Sequence, residues 1–591
     1  MILRARDETV AGGHDSQREP GPVGGGDGGI YRHRAGPYAG CRADASDPAR
    51  PSFHRDSALT GHPVPGRCAT SEDGSGPLTQ LRTSENGQSP RKGVDPAPIE
   101  GESVRRVGVV DVGSNSVRLV VFDGVARSPA YFYNEKILCG LGKGIQDSGR
   151  LNPEGRVRAM NALRRFAALA EAMDVSVLTG VSTAAGRDAE DGPEVCRDVH
   201  AMTGLALQVA TGPEEALLSA KGVLLGWPQA SGVVCDIGGA SMELARVDKG
   251  AVGDCATSPL GPLRLSNLGS EKAIDKAIAK ELKTLIAAVD ASGADRIFLV
   301  GGSWRAIARL DMERRNYPLH VLHEYTMSPE NVIETCDWLV DQSVDTLKGM
   351  TDTSSARLEL VPLAARVLRA LVAAAAPKAI AVSSYGLREG LLYERMPPSL
   401  RARDPLLEAA RHMEMSHARF PGFGASLHAW LRPLFPDADR ETLRLIRAAC
   451  YLHDITWRAH PDYRADVCFE TVTRANLSGV DHEGRVFLGI AILNRYKGSP
   501  KHGLLPALSE LLTPERQAQA AELGKAIRLG AMLSGSAPGS LENTRLSVDD
   551  EAVTLTLRGP ARALAGEAVD RRLRALAGRR NLASNVVLEE D

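Results

Sequence analysis

The sequence predicts an α/β protein in which two duplicated halves face each other across a cleft, followed by helices and a short mixed tail. Three observations carry this expectation. Two stretches, Asp111-Val-Gly-Ser-Asn-Ser-Val-Arg-Leu119 and Asp236-Ile-Gly-Gly-Ala-Ser-Met-Glu-Leu244, share Asp, Gly, Ser and Leu at matching places, each between apolar, largely β-branched runs. Strand-like and helix-like periods alternate between and after them, as α/β architecture requires. At 591 residues the chain also exceeds the roughly 250–300 residues that a single core accommodates.

Residues 1 to about 103 are rich in Gly, Pro, Arg, Ser and Asp and show no apolar period. A segment that buries little apolar surface cannot offset its ordering entropy, so this stretch is predicted to be a disordered tail or to precede the true start of translation. The first half, 104–228, opens with Val107–Val110 and Leu119–Phe122, a strand, a glycine turn and a strand. Apolar residues at Val157, Met160, Leu163, Phe166 and Leu169 predict a helix over Leu151–Ala172. A strand follows at Val175–Thr179, then a turn at Ser182–Arg187, and Thr211 opens a helix that stops at Trp227-Pro228. The second half, 229–398, repeats the hairpin at Val233-Val234 and Leu244–Val247, adds a strand, glycine turn and helix at Phe298–Ile307, and closes at Ala379–Gly390. Pro397, Pro398 and Pro405 mark a linker. Residues 399–525 read as helical, and 526–591 as a small α/β piece with strands near Thr544–Ser547 and Ala552–Leu557 and a helix from Pro560 to about Ala577.

With 71 basic and 73 acidic residues the formal net charge is −2, so nothing draws the whole chain to nucleic acid or a membrane surface, and any anion site must be local. The nine cysteines are scattered without a C-x-x-C pair, which predicts reduced thiols in a cytoplasmic protein. No run approaches the roughly 20 apolar residues of a membrane span, and Met1–Asp7 lacks the apolar core of a signal peptide. No oligomeric state follows from the sequence, and a homodimer stays open.

A glycine turn lets backbone N–H groups approach an oxyanion with no Cβ in the way, and a serine hydroxyl adds a donor. Gly113, Ser114, Asn115 and Ser116 in one turn and Gly238, Gly239, Ala240 and Ser241 in the other are therefore candidate phosphate-binding residues. Asp111 and Asp236, at the strand ends before them, are placed to hold Mg2+ directly or through water, with Glu243 as a third candidate ligand. Hydrolysis of a phosphoanhydride also needs a base on water. In Thr211-Gly-Pro-Glu214-Glu215, a capping box uses Glu214 and leaves Glu215 as the candidate base. Arg187 is a candidate to meet a phosphate through its guanidinium fork. His453-Asp454 has the form of a His-Asp metal core, with His428, His460 and His482 available as partners; a pair that caps and packs a helix end is the simpler reading.

These pieces resemble the exopolyphosphatase and guanosine pentaphosphate phosphohydrolase (Ppx/GppA) family from about Val107 to Arg395, and more weakly to the end. The two Asp-initiated turns are similar to its two phosphate loops, and Gly212-Pro-Glu-Glu-Ala216 to the segment carrying its catalytic base, which falls on Glu215. Ser182–Ala189 resembles its turn with a phosphate-binding arginine, here Arg187; Ser258–Leu265 and Tyr385–Gly390 match further signatures. The resemblance implies an actin-like fold of two ribonuclease-H-like halves around a cleft, an HD-like helical domain, and a Mg2+-dependent hydrolase that frees terminal orthophosphate from inorganic polyphosphate. Hydrolysis of guanosine pentaphosphate is the nearest alternative; an actin-fold kinase or a non-catalytic polyphosphate or nucleotide sensor are the others. Four positions depart from the pattern. Ala240 replaces a glycine, so its Cβ is expected to crowd a phosphate or resist a positive φ; Met242 replaces a Thr donor; Asp191 replaces an Asn; and Trp304 replaces a Gly, where it is expected to fill the space a nucleoside would need.

Overall fold

Val107, Val109 and Val110 in one strand and Val120, Val121 and Phe122 in the next are buried on both faces, which requires cover from two sides. The computed structural model, which describes residues 106–496 and 505–590, supplies that cover. The expected tail, 1–103, lies outside the described residues. Strands β1 (Arg106–Val112), β2 (Ser116–Phe122), β3 (Tyr131–Leu138), β4 (Val175–Ser182) and β5 (Leu207–Val209) form one sheet in the order β3-β2-β1-β4-β5. The first three form an antiparallel meander, and β4 and β5 run parallel to β1. On one face Val110, Val112, Leu119 and Val121 pack with Leu163 and Phe166 of helix Pro153–Ala172. On the other, Val107, Val109, Val120 and Phe122 meet Leu218 of helix Gly212–Gly226 and Leu391 and Leu392 of helix Leu387–Arg395.

The second sheet repeats this plan. Strands β6 (Gly232–Ile237), β7 (Met242–Asp248), β8 (Ala251–Ser258), β9 (Arg296–Gly301), β10 (Thr326–Met327) and β11 (Ala379–Val382) lie in the order β10-β11-β9-β6-β7-β8. Read from β8 inward it is again a meander followed by parallel strands, with β10 added antiparallel at the far edge. The repeat extends to single bonds. Val112 pairs with Val117 and Ile237 with Met242 at the two corners, and the Gly113 and Gly238 amides donate to the Ser116 and Ser241 carbonyls, each at 3.0 Å.

The halves are joined where helix Gly212–Gly226 crosses helix Leu387–Arg395 backbone against backbone. A Cβ on Gly390 would lie 1.8 Å from the Leu218 carbonyl oxygen, and one on Gly222 2.2 Å from that of Gly386. Only glycine permits such a crossing.

Beyond Arg395 several expectations change. Pro398 and Pro405 each open a helix, Pro398–Arg401 and Pro405–His417, instead of standing in an extended linker; the Asp404 carboxylate caps the second by accepting from the Leu407 amide at 3.1 Å. The division at 525/526 falls inside helix Pro514–Ser534. Strands β12 (Thr544–Val548), β13 (Ala552–Arg558) and β14 (Ala583–Glu589) form a small sheet, and Leu555 and Leu573 share one core with Leu427, Ile446, Phe487 and Ile527 of the helices. Helical segment and tail are therefore packed as one body. Pro560 lies in a 3-10 turn, Gly559–Leu564, and the α-helix starts only at Glu567, because Gly566 interrupts the path. The turn expected at Ser182–Arg187 contains a five-residue helix, Ala184–Asp188. Among the described residues no helix is long and apolar enough to cross a membrane.

Candidate active site

Because the two corners are built alike and face each other, their loops line a common cavity of about 270 Å³. Gly113, Ser114, Asn115 and Ser116 line it from the first half, and Gly238, Gly239, Ala240 and Ser241 from the second, with Asp111, Asp236, Glu215 and Glu243 among them. Ala240 carries no positive φ, so the backbone there accepts a Cβ, contrary to the expected resistance. The glycine the corner cannot lose lies elsewhere. Gly301, at the end of β9, has φ 113°, and a Cβ there would come within 2.5 Å of the Ile237 carbonyl oxygen and 3.0 Å of Asp236 Oδ1. Met242 is fully buried beneath its loop, packed into the core of the second half.

The two glutamates of the Thr211 helix have separate environments. Glu214 is exposed and closes the capping box, its Oε2 accepting from the Thr211 amide at 2.8 Å. Glu215, one residue on and 100° round the helix, is buried on the cavity wall. Arg187 does not line the cavity: its Nη1 donates to Glu215 Oε1 and, at 3.0 Å, to the Ala210 carbonyl, while Nε reaches Asp188 Oδ1 at 3.2 Å. The expected phosphate-binding Arg187 is paired with the candidate base in this structure. Among the described residues no donor reaches Glu215 Oε2, which leaves that oxygen to take a proton. Burial pushes the Glu215 carboxyl up to about 7, the Arg187 guanidinium opposes the rise, and the charges of Asp236 and Asp111 add to it.

Asp111 Oδ2 accepts from Arg388 Nη1 at 3.0 Å, Asp236 Oδ2 from the Ser219 hydroxyl, and Glu243 Oε1 from the Thr257 hydroxyl at 3.0 Å. Burial, and then the charges of Glu215 and Asp236, push the Glu243 carboxyl well up; burial also raises the Asp236 carboxyl. These carboxyls supply oxygen donors of the type a divalent cation takes. Among the described residues no group of three or more metal-ligating side chains is assembled. Mg2+, which keeps several waters and shares substrate phosphates, suits such an open set.

Five cations complete the lining: Arg118, Lys136, Arg305, Arg357 and Arg388. Of these, Arg118 and Arg388 lie inside motifs legible in the sequence. Arg305 lies in the strand, glycine turn and helix read at Phe298–Ile307, and Lys136 and Arg357 had no local signal. Trp304 is fully buried in the core of the second half and does not line the cavity, which corrects the expectation that its ring fills nucleoside space. Asp191 is structural: its Oδ1 accepts from the Leu151 amide at 2.9 Å. In the helical body the buried His453 ring lies 2.7 Å from the Cys450 carbonyl and 3.2 Å from the Ser536 hydroxyl, Asp454 is held bidentately by Arg419 at 2.7 and 3.0 Å, and His482 is 2.8 Å from the Tyr317 hydroxyl. His460 is exposed beside Asp462 and His428 lies in helix Phe423–Leu431, so the His-Asp pair is occupied by packing partners.

Two matching glycine loops, a buried carboxylate and a cationic wall make a lining suited to phosphate groups. The Ppx/GppA phosphatase family model matches residues 120–399, and the exopolyphosphatase C-terminal model matches 406–585. Exopolyphosphatase 2 of Mycobacterium tuberculosis is 27% identical over 263 residues, 40% of this chain and 81% of that protein. Retrograde regulation protein 2 of Saccharomyces cerevisiae is 23% identical over 434 residues, 66% of this chain and 73% of its own. An exopolyphosphatase structure from Cytophaga hutchinsonii aligns with TM-score 0.45 and 23% identity over 49% of this chain and 97% of that one. The chain belongs to the Ppx/GppA phosphatase family and is a hydrolase.

Proposed function

We propose that this phosphatase is a cytoplasmic exopolyphosphatase that releases orthophosphate from the end of inorganic polyphosphate. The observation that carries the reading is the cavity lining: two phosphate loops, five cations and a carboxylate base, with no aromatic side chain on which a nucleobase would stack. The loops 113–116 and 238–241 hold the terminal phosphate. Glu215 Oε2 takes a proton from water as the water oxygen bonds to the terminal phosphorus; the bond from that phosphorus to the bridging oxygen breaks, and the bridging oxygen leaves as the new anionic end of a shortened chain. Arg187 keeps Glu215 ionised and aimed. Asp111 and Asp236, with Glu243 behind them, would hold Mg2+, which when bound supplies positive charge to the phosphate oxygens.

Phosphate release from long polyphosphate and from guanosine pentaphosphate, measured side by side on the purified chain, tests this. A higher kcat/KM on polyphosphate, with KM rising as salt rises, is expected. The opposite order assigns the chain to guanosine pentaphosphate, and binding without phosphate release assigns it to a sensor.

A further inference from the structure

The contacts that hold the candidate base do not end in its own half. Arg187 Nη1 donates to Glu215 Oε1 and, at 3.0 Å, to the Ala210 carbonyl, and its Nε donates to Asp188 Oδ1 at 3.2 Å. The other oxygen of that carboxylate, Asp188 Oδ2, accepts from Arg264 Nη2 at 3.3 Å. Arg187 and Asp188 belong to helix Ala184–Asp188 of the first half, and Arg264 to the single helical turn Pro262–Leu265 of the second. Base, arginine, aspartate and arginine thus form one line of alternating charge that passes from one half to the other.

The far end of the line is tied to the second glycine loop. The Leu263 amide donates to the Gly239 carbonyl at 2.9 Å, and a Cβ on Gly261 would lie 2.2 Å from the Ala240 carbonyl carbon and 2.4 Å from the Gly239 oxygen. Backbone packed this closely moves as one piece, so Arg264 goes where the loop 238–241 goes. A second contact joins the same regions of the two halves, Asn267 Nδ2 to Gln146 Oε1 at 3.3 Å, and takes no part in the charge line.

We propose that Asp188 and Arg264 are positioning residues: acting through Arg187, they let the second half aim the base of the first, so that Glu215 is aligned only when the two loops stand together around a phosphate. This rests on the reading of Glu215 as the base. The Arg187 guanidinium is a planar fork, so an anchor on one edge fixes the direction of the other. Without the Asp188 carboxylate the fork loses its anchor at Nε, and Glu215 loses its fixed angle to the attacking water. A misplacement of about 1 Å at a reacting group costs up to about 10²-fold in rate. Half-exposed ion pairs add little to stability, so what this line supplies is orientation.

The test measures kcat, KM and melting temperature for Asp188→Ala, Asp188→Glu, Arg264→Met and Asn267→Ala, on whichever of long polyphosphate and guanosine pentaphosphate the wild type hydrolyses faster. Asp188→Ala is also made in the Glu215→Gln background and together with Arg264→Met. Asp188→Ala should lower kcat about 10- to 50-fold and Arg264→Met about 3- to 10-fold, with KM and melting temperature little changed. Asp188→Glu should recover part of the loss, and Asn267→Ala should leave kcat within about twofold of the wild type. The double variant should be no slower than Asp188→Ala alone, and in the Glu215→Gln background Asp188→Ala should cost nothing further, since the line then has no base to aim. An unchanged kcat in Asp188→Ala overturns the inference, as do losses carried by KM, which would make these residues substrate contacts. An added loss in the Glu215→Gln background, or an equal loss from Asn267→Ala, overturns it too, because the residues would then shape the cleft without acting on the base. All of these leave the reading of Glu215 standing. A Glu215→Gln variant as active as the wild type overturns both.

Discussion

Glu214 and Glu215 are adjacent and chemically alike, yet the 100° step between neighbours on a helix gives them different work. Glu214→Ala removes half of a capping box and should cost about 1 kcal/mol of stability in denaturant melts with little effect on turnover. Glu215→Gln should lower kcat by about 10²–10⁴-fold while polyphosphate still binds in an equilibrium assay, because the amide keeps the shape and loses the proton acceptor. Equal damage to turnover from the two variants would refute this division. The pH profile follows from the same carboxyl. A base held up at about 7 by burial must lose its proton to act, so kcat/KM should climb through that region as pH rises. Arg187 opposes the rise, so Arg187→Met should move the acid limb to higher pH; an unmoved limb would mean that some other group titrates there. Trp304 shows where residue-level reading fails. Position in a motif does not say which way a side chain points, and this indole points into the core, so Trp304→Gly should cost about 3–5 kcal/mol as a cavity mutation and leave substrate preference alone.

At the scale of elements, the hairpins and the helices with clean apolar periods were legible because burial on both faces leaves a β-branched run, and cover on one face leaves a 3.6-residue period. Edge strands β3 and β8 were not, since Tyr131 and Phe132 stand exposed and Ala251–Ser258 is small and polar, so neither has an apolar alternation to read. The site divides the same way. Its loops and base came from local motifs, whereas Lys136 and Arg357 reach it through tertiary folding alone. The glycine seam between helices Gly212–Gly226 and Leu387–Arg395 is the element contact most sensitive to a single methyl. With 1.8 Å to the Leu218 carbonyl, Gly390→Ala should separate the helices and destabilise the protein by about 1–3 kcal/mol or more, read from urea melts. Stability unchanged by that methyl would mean the helices cross differently.

For the molecule as a whole, the cleft sets four carboxylates against five cations. A divalent cation that binds only the folded chain should raise the melting temperature in proportion to the logarithm of its concentration. Magnesium titration in a thermal melt, with no substrate present, should show this, and Asp236→Asn should abolish most of it. A melting temperature indifferent to Mg2+ would remove these carboxylates from metal binding.

The helix Leu387–Arg395 covers the first sheet, although it is made some 270 residues after β2. Until Leu391 and Leu392 emerge from the ribosome, the apolar face of Val107, Val109, Val120 and Phe122 has only part of its partner. At about 5–20 residues per second, that wait lasts tens of seconds. The first half is therefore synthesised early and completed late.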